Sequence, residues 1–414
     1  MSTQDNAPDG RSGVLGAAGG GALAGLRVAD FSRVLAGPYA TMLLADLGAD
    51  VVKVERPGTG DDTRAWQPPA DRDGTSTYFL SVNRNKRSVT LDLATEAGLE
   101  QARALVAESD VLVENFRPGT MDRLGLGHRE LLARHPGLVY CSISGFGAGA
   151  GATIPGYDLL VQAVGGLMSV TGDAAGEPTK AGVALVDVIT GLHATLGILA
   201  ALRHRDATGE GQRVEVNLLG SLLSAMVNQA SAFAVAGVVP GRLGNAHPSI
   251  APYETFPAAD RPLAIAVGND RQFAALAEIV GEPGLAFDDR FRTNADRVAH
   301  RTELRDILSE RLAAAGADHW SSVLLAAGVP AGPVNTLEEA FDFARKLGLP
   351  GIVEIPAAPA DEAEGPPSRQ IANPIALSGT PVQYRLPPPR LGQHNEELLH
   401  RTSAEVSTQD ESST

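Results

Sequence analysis

The chain has one cysteine, Cys141, in 414 residues. That excludes an intrachain disulfide framework and any multi-cysteine metal site, and it suits a reducing, cytoplasmic compartment. The neighbours of Cys141 in "LVYCSISGFG" are apolar or small, which predicts a buried strand residue. Basic residues are scarce as well. The 34 Lys and Arg stand against 49 Asp and Glu, a formal net charge of −15. This balance speaks against general binding of nucleic acid or anionic membrane, since phosphate binders need a basic face. No run reaches about 18 uninterrupted apolar residues, so no membrane span is expected. The amino end lacks the basic start and apolar core of a signal peptide. The histidines never fall at H-E-x-x-H or another ligand spacing, so no metal is expected. P-loop and nucleophile-elbow motifs are missing too. "GGGALA" (Gly19–Ala24) spells a dinucleotide loop, but it precedes the first strand-like run instead of following one.

What is present is alternation. "LRVADF" reads as a strand, and "GPYATMLLADLGA" as a helix with Pro38 early and Gly48 at its end. "DVVKVE" (Asp50–Glu55) is the next strand. The pattern repeats with strand "SVTLDL", helix "TEAGLEQARALVAES", strand "DVLVENF" and strand "LVYCSISGFG". Such βαβ order predicts a parallel sheet covered by helices. Helices are then expected from Tyr157 to Gly237. A second region, 240–345, combines the strand "PLAIAVGN" with amphipathic helices, one opened by the capping-box pattern Thr336-x-x-Glu339. Pro356–Gln370 reads as a polar surface loop. The expected division is a tail at 1–25, a large domain at 26–225, a small α+β domain at 240–345, a return to the large domain at 350–400, and a tail at 401–414.

Three stretches carry candidate chemistry. In "NRNKRS" (Asn83–Ser88), Arg84, Lys86 and Arg87 form either a solvated charged loop or a clamp for phosphate. "ENFRPGTMDRLGLG" places Asn115, Arg117 and Arg123 where a strand ends, and ligands of open α/β sheets sit beyond such ends. In "GVALVDVITGLHATLGILAALRHR", the lone carboxylate Asp187 stands in an apolar segment. It reads as the N-cap of a helix starting at Val188, as a nucleophile or base, or as both. A helix start would keep its carboxylate ionised.

The stretches "LRVADFSRVLAGPYATMLLADLGADVVKVERPGTGD", "NRNKRSVTLDL", "DVLVENFRPG", "GYDLLVQAVGGLMSVTG", "VALVDVITG", "TGEGQRVEVNL", "GNAHPSIAPYETF" and "LGQHNEEL" run in order from Leu26 to Leu399. Together they resemble the family III CoA-transferases, the group that includes formyl-CoA transferase, carnitine CoA-transferase and α-methylacyl-CoA racemase. The resemblance implies an α/β fold: a Rossmann-like large domain with a parallel sheet plus a smaller α+β domain, in an interlocked homodimer. It implies an acyl-CoA and a carboxylic acid as substrates, with no cofactor beyond coenzyme A as the carried group. Asp187 matches the family's catalytic aspartate, with Tyr157 and Asp158 beside the reaction. The CoA contacts match Leu35, Ala36, Arg56, Leu91, Asp92, Leu93, Ala94, Asn115, Phe116, Arg117, Arg123, Pro155 and Gly156. The racemase branch has a histidine where this chain has Tyr157, and a tyrosine titrating near 10 is a poor base at neutral pH. CoA transfer is therefore expected ahead of racemisation or epimerisation, and ahead of CoA binding without turnover. Formyl-CoA transferase has a glutamine where Leu35 stands and a Gly-rich flap with no counterpart here, which speaks against formyl or oxalyl substrates.

Overall fold

The computed structural model describes residues 20–356 and 367–399. The chain divides into two compact units, one of residues 1–161, 184–225 and 350–414, the other of 162–183 and 226–349.

The first unit is built on six parallel strands: β1 (Arg27–Asp30), β2 (Asp50–Glu55), β3 (Lys86–Thr90), β4 (Val111–Glu114), β5 (Val139–Ser144) and β6 (Arg213–Asn217). Their order is β3-β2-β1-β4-β5-β6, so the chain adds strands outward in one direction up to β3 and in the other from β4, with the switch between β1 and β4. Strands β1 to β5 are mostly buried and rich in Val, as a sheet covered on both faces requires, while β6 at the sheet edge is only partly buried. The helices of this part are α1 (Ala36–Asp46), α2 (Thr77–Leu80), α3 (Glu96–Ala107), α4 (Thr120–Arg123), α5 (His128–Arg134), the start of α6 (Asp158–Val164), α8 (Leu185–Thr208) and α9 (Leu218–Ala225); α7 (Leu167–Val170) and the end of α6 belong to the second unit. On one face Ala102 and Val106 of α3 and Leu131 of α5 pack with Ala29, Val52, Leu112 and Tyr140. On the other, α8 lies against α1, β5 and β6. Their approach is close at Gly191, where a Cβ would stand 2.7 Å from Ala36 O. Helix α8 is long and apolar enough to cross a bilayer by length and composition, yet these contacts make it a helix of the sheet's core.

Several sequence expectations need correction. Strand β6 lies inside the stretch read as helical. The segment 381–386, in the stretch expected to return to the large domain, lies on the β2–β3 connection, with Asn85 N–H donating to Leu386 O at 2.8 Å, and His394 N–H donates to Ser88 O at 2.9 Å. These bonds cover the outer edge of β3, a place where an open sheet needs protection. Ser368–Ile371, expected partly as loop, pairs antiparallel with Ile352–Ile355; residues 357–366 lie outside the described residues. So do 1–19 and 400–414, which hold most of both expected tails. Within the expected tail, Leu23 N–H bonds Leu47 O at 2.9 Å. Cys141 is buried in β5, and burial pushes its thiol well above the usual range.

The second unit has its own core. Strands β7 (Tyr253–Pro257), β8 (Pro262–Ala266) and β9 (Ala331–Pro333) form an antiparallel sheet. Phe256, Leu263 and Ile265 pack there with Phe273, Leu304, Leu308 and Trp320 from three helices. The capping box of Thr336 and Glu339 is present at the start of Leu337–Lys346.

Candidate active site

Helix α8 begins at Leu185, and Ala184 before it offers no side-chain cap. The cap comes from the start of α6. Asp158 Oδ1 accepts from Val186 N–H at 2.8 Å and from Asp187 N–H at 3.3 Å. These are the second and third helical N–H groups, the donors an N-cap carboxylate ordinarily serves. The reading of Asp187 as the N-cap is thus corrected. It is the third residue of the helix, and its carboxylate accepts no hydrogen bond among the described residues. Burial pushes the Asp187 carboxyl up, and the nearby Asp158 carboxylate adds to the effect, to about 7. The helix start favours the anion, but lost hydration and a like charge outweigh it. The carboxyl is therefore close to half ionised at neutral pH instead of fully so.

The surroundings of Asp187 are apolar. Leu35, Met42 and Val82 are buried together, with Val34, Tyr39, Tyr78, Ala184 and Val188 against them. Tyr78 is a residue the sequence reading missed. Burial, then Asp187, then Asp158 push its hydroxyl up to about 12, so it stays neutral across the physiological range. Tyr157, expected beside the reaction, is 61% exposed and bonds neither aspartate.

The turn from β1 to α1 leads from this place to a cavity of about 400 Å³. It opens at the carboxyl ends of β1 and β4, beside the switch point of the strand order, where open α/β sheets bind ligands. Of the expected CoA contacts, Arg56, Leu91, Asp92, Leu93, Ala94 and Phe116 line it together. Arg33, not singled out from sequence, lines it too. Its guanidinium sits 5.3 Å from the Phe116 ring centre, and its buried Nε has no hydrogen-bond partner. Other charges at the cavity floor are paired: Lys53 Nζ with Asp61 at 2.9 Å, and Glu55 with Arg64 at 2.7 Å. Burial alone would raise Asp61, but Lys53 holds it at about 2. Arg56 has no ion-pair partner among the described residues, which leaves its charge available to an anion.

The remaining expected contacts fall elsewhere. Leu35 and Ala36 start α1 beside Asp187. Arg117 lines a separate cavity of about 470 Å³ with Glu114, whose carboxyl burial pushes up to about 7. Arg123 lines neither cavity, and it donates to Thr120 Oγ1 at 3.1 Å. Pro155 and Gly156 are exposed, with Gly156 against Gly145. The side chain of Asn115 is taken up by the backbone of Arg33: Oδ1 accepts from N–H at 2.8 Å and Nδ2 donates to C=O at 2.7 Å.

"NRNKRS" is neither a solvated loop nor a phosphate clamp. Arg84 makes two bonds to Asp46, at 3.0 and 2.6 Å, and both residues are buried. Lys86 donates to Asp30 at 3.1 Å, to Pro38 O at 2.9 Å and to Asn83 at 3.0 Å. Burial still lowers its ammonium to about 8. Arg87 pairs with Asp50 and Glu397. These cations brace the fold and are not on offer to a ligand.

Comparison with known proteins places the chain in a family. A sequence model described as CoA-transferase family III matches residues 23–395. The chain is 43% identical to a succinate–glutarate CoA-transferase of Agrobacterium fabrum, over 91% of this chain and 94% of that protein. It is 42% identical to an acetyl-CoA:oxalate CoA-transferase of Acetobacter aceti, over 77% and 82%. It is also similar to the crystal structure of a CAIB/BAIF family protein from Brucella suis, with a TM-score of 0.81, 41% identity, and 92% and 99% of the two chains covered.

Proposed function

This chain belongs to CoA-transferase family III, and from that premise we propose that Asp187 is the nucleophile through which it moves coenzyme A between a dicarboxylic acyl thioester and a free dicarboxylate. The chain is an acyl-CoA:carboxylate CoA-transferase working through an aspartyl intermediate. Coenzyme A is its carried group. The observation that carries the choice of Asp187 is its carboxylate: free of capping, half-buried, and held near 7 at the start of α8.

Asp187 Oδ attacks the thioester carbonyl, and CoA thiolate leaves as a mixed anhydride forms. The thiolate then attacks the aspartyl carbonyl of that anhydride. This releases the first acid as its carboxylate and leaves CoA on Asp187 as a thioester. The acceptor carboxylate attacks this thioester, giving a second anhydride and thiolate again. Attack of the thiolate on the acceptor's acyl carbon yields the new acyl-CoA and returns Asp187 to its carboxylate. One difficult exchange is divided into four easier substitutions. Asp158 fixes the backbone that carries Asp187, and the neutral Tyr78, in the same apolar cluster as Leu35 and Val188, is the donor we assign to charge developing on oxygen. The nucleotide end of CoA belongs in the cavity of Arg56, Leu91–Ala94 and Phe116, and its thioester end lies by Leu35–Ala36.

Succinate and glutarate stand in the name of a relative 43% identical to this chain, which supports dicarboxylates as the acids. A screen tests this: succinyl-CoA with glutarate, other dicarboxylates, oxalate, formate and monocarboxylates, read by mass spectrometry. Exchange with dicarboxylates is expected to be fastest. Leu35 speaks against oxalate, and the oxalate enzyme among the relatives makes that acid the sharpest control. A 2-methylacyl-CoA in heavy water separates transfer from racemisation. Deuterium at the α carbon without transfer to any acid would favour the racemase reading.

Arg56→Ala is expected to weaken CoA binding about tenfold or more, the loss of one charge-assisted hydrogen bond, measured by calorimetry. Arg117→Ala and Arg123→Ala should cost less, since neither residue lines that cavity. The same affinity in all three variants as in the parent would remove the assignment.

An interlocked homodimer fits the apolar surface of the first unit. Leu192 and Leu196 on α8 and Leu223 on α9 are 47%, 66% and 49% exposed. Light scattering at micromolar concentration should give twice 42.9 kDa. A folded, active monomer would contradict the dimer.

A further inference from the structure

We propose that Asn115 is a positioning residue: it holds the turn between β1 and α1 in a left-handed form at Val34, and that turn sets the reacting end of acyl-CoA against Asp187. The proposal rests on Asp187 being the nucleophile. It differs from the expectation that Asn115 itself grips CoA, because the structure already occupies both ends of its amide.

Val34 has φ +69°, a region where a β-branched side chain is sterically strained. Such a conformation persists only where the surroundings over-determine it. Three side chains from three other places in the first unit do so. Asn115, just past β4, accepts from and donates to the backbone of Arg33. Lys53 of β2 donates to Ser32 O at 2.9 Å. Asp61 accepts from Val34 N–H at 3.3 Å while paired with Lys53. The turn so fixed has ligand-facing residues at both ends. Phe31 and Arg33 line the cavity assigned to the nucleotide, and Leu35 packs with Tyr78, Ala184 and Val188 around Asp187. Strain at Val34 is thus placed between the two halves of the site. A small relaxation there would move Leu35 and Ala36 relative to Asp187 and leave the cavity walls from β2 and from Leu91–Ala94 in place. Near-attack geometry is sensitive to shifts of about 1 Å.

The experiment uses the full-length enzyme, with succinyl-CoA and glutarate exchange, CoA calorimetry and thermal melts. Asn115→Ala should lower kcat at least tenfold, with CoA affinity changed less than twofold. Val34→Gly added to that variant should recover most of the lost kcat. Glycine carries φ +69° without steric cost, and Lys53 and Asp61 still hold the turn. A merely structural loss would not be repaired by removing a side chain. Weakened CoA affinity with kcat retained, or no recovery by Val34→Gly in a folded double variant, overturns the proposal. Should Asn115→Ala fail to fold, Asn115→Asp reads the same split, because it keeps the acceptor for Arg33 N–H and loses only the donor. If Asp187→Asn kept turnover while the Asn115 and Val34 pair behaved as stated, the turn would stand as a positioning element and only its target would change.

Discussion

Asp187→Asn is expected to lower CoA exchange by about 10³-fold or more while the protein folds and binds CoA as before. The amide is nearly isosteric, so the apolar cluster around it is kept. Its backbone N–H still donates to Asp158. What is lost is the anion that attacks. The same change should alter stability in the opposite sense. Burial and Asp158 raise the Asp187 carboxyl from 3.8 to about 7, so the folded chain binds that proton more tightly than the unfolded chain. The resulting cost to stability is absent below pH 3.8, grows from there to about 7, and is complete above 7. Asparagine removes it, so the variant should be more stable at pH 8, by up to about 4 kcal/mol, and closer to the parent near pH 4. A less active but more stable protein is the pattern of a site that holds a charge against its solvation preference. Near-normal turnover in the purified variant, with deamidation excluded, would remove Asp187 as nucleophile. A thermal melt showing no gain at pH 8 would remove the buried-charge part of the argument.

Exchange should fall steeply in acid. The attacking form of Asp187 is the carboxylate, and half is lost near pH 7. The logarithm of kcat/KM should rise with unit slope up to about pH 7 and level off above it, leaving pH 5 about a hundredfold below the plateau. The groups facing Asp187 are Asp158 and Tyr78, and Tyr78, at about 12, stays neutral across this range. Glu114 is a second carboxyl near 7, in the other cavity. Glu114→Gln should leave the profile in place, and Asp158→Asn should shift it towards acid by removing the like charge. A profile flat from pH 5 to 8 would mean that Asp187 is ionised throughout.

Local pattern made much of the sheet legible. Asp50–Glu55 is a Val-rich run between Gly48 and Arg56-Pro57, and β2 has those bounds. Thr336 and Glu339 lie three apart, and their capping box is there. What escaped depends on partners distant in sequence. Asp46, Asp30 and Asp50 stand 38, 56 and 37 residues from the cations of "NRNKRS" that they bind, so charge in the loop looked available when it was not. Asp158 caps α8 from 28 residues away, and a local reading gave that task to Asp187. Tyr78 comes near the two carboxylates through the cluster it shares with Leu35, Met42 and Val188, which no spacing rule reports. Strand β6 was lost because five residues of alternating character follow a 24-residue helix whose apolar signal dominates the stretch. The resemblance to a family is what proposes Asp187 as nucleophile and Leu91–Ala94 as a CoA contact, where periodicity alone would have left a cap and a strand end.

The most direct measurement traps the intermediate. The enzyme is mixed with succinyl-CoA in the absence of an acceptor acid, reduced with borohydride and digested, and the peptide containing Asp187 is read by mass spectrometry. A thioester on the side chain is reduced to an alcohol, so residue 187 should appear as homoserine, only when the acyl-CoA was present, and not in Asp187→Asn. Reduction at another carboxylate, or none at residue 187 in an enzyme shown to turn over in the same preparation, would contradict it.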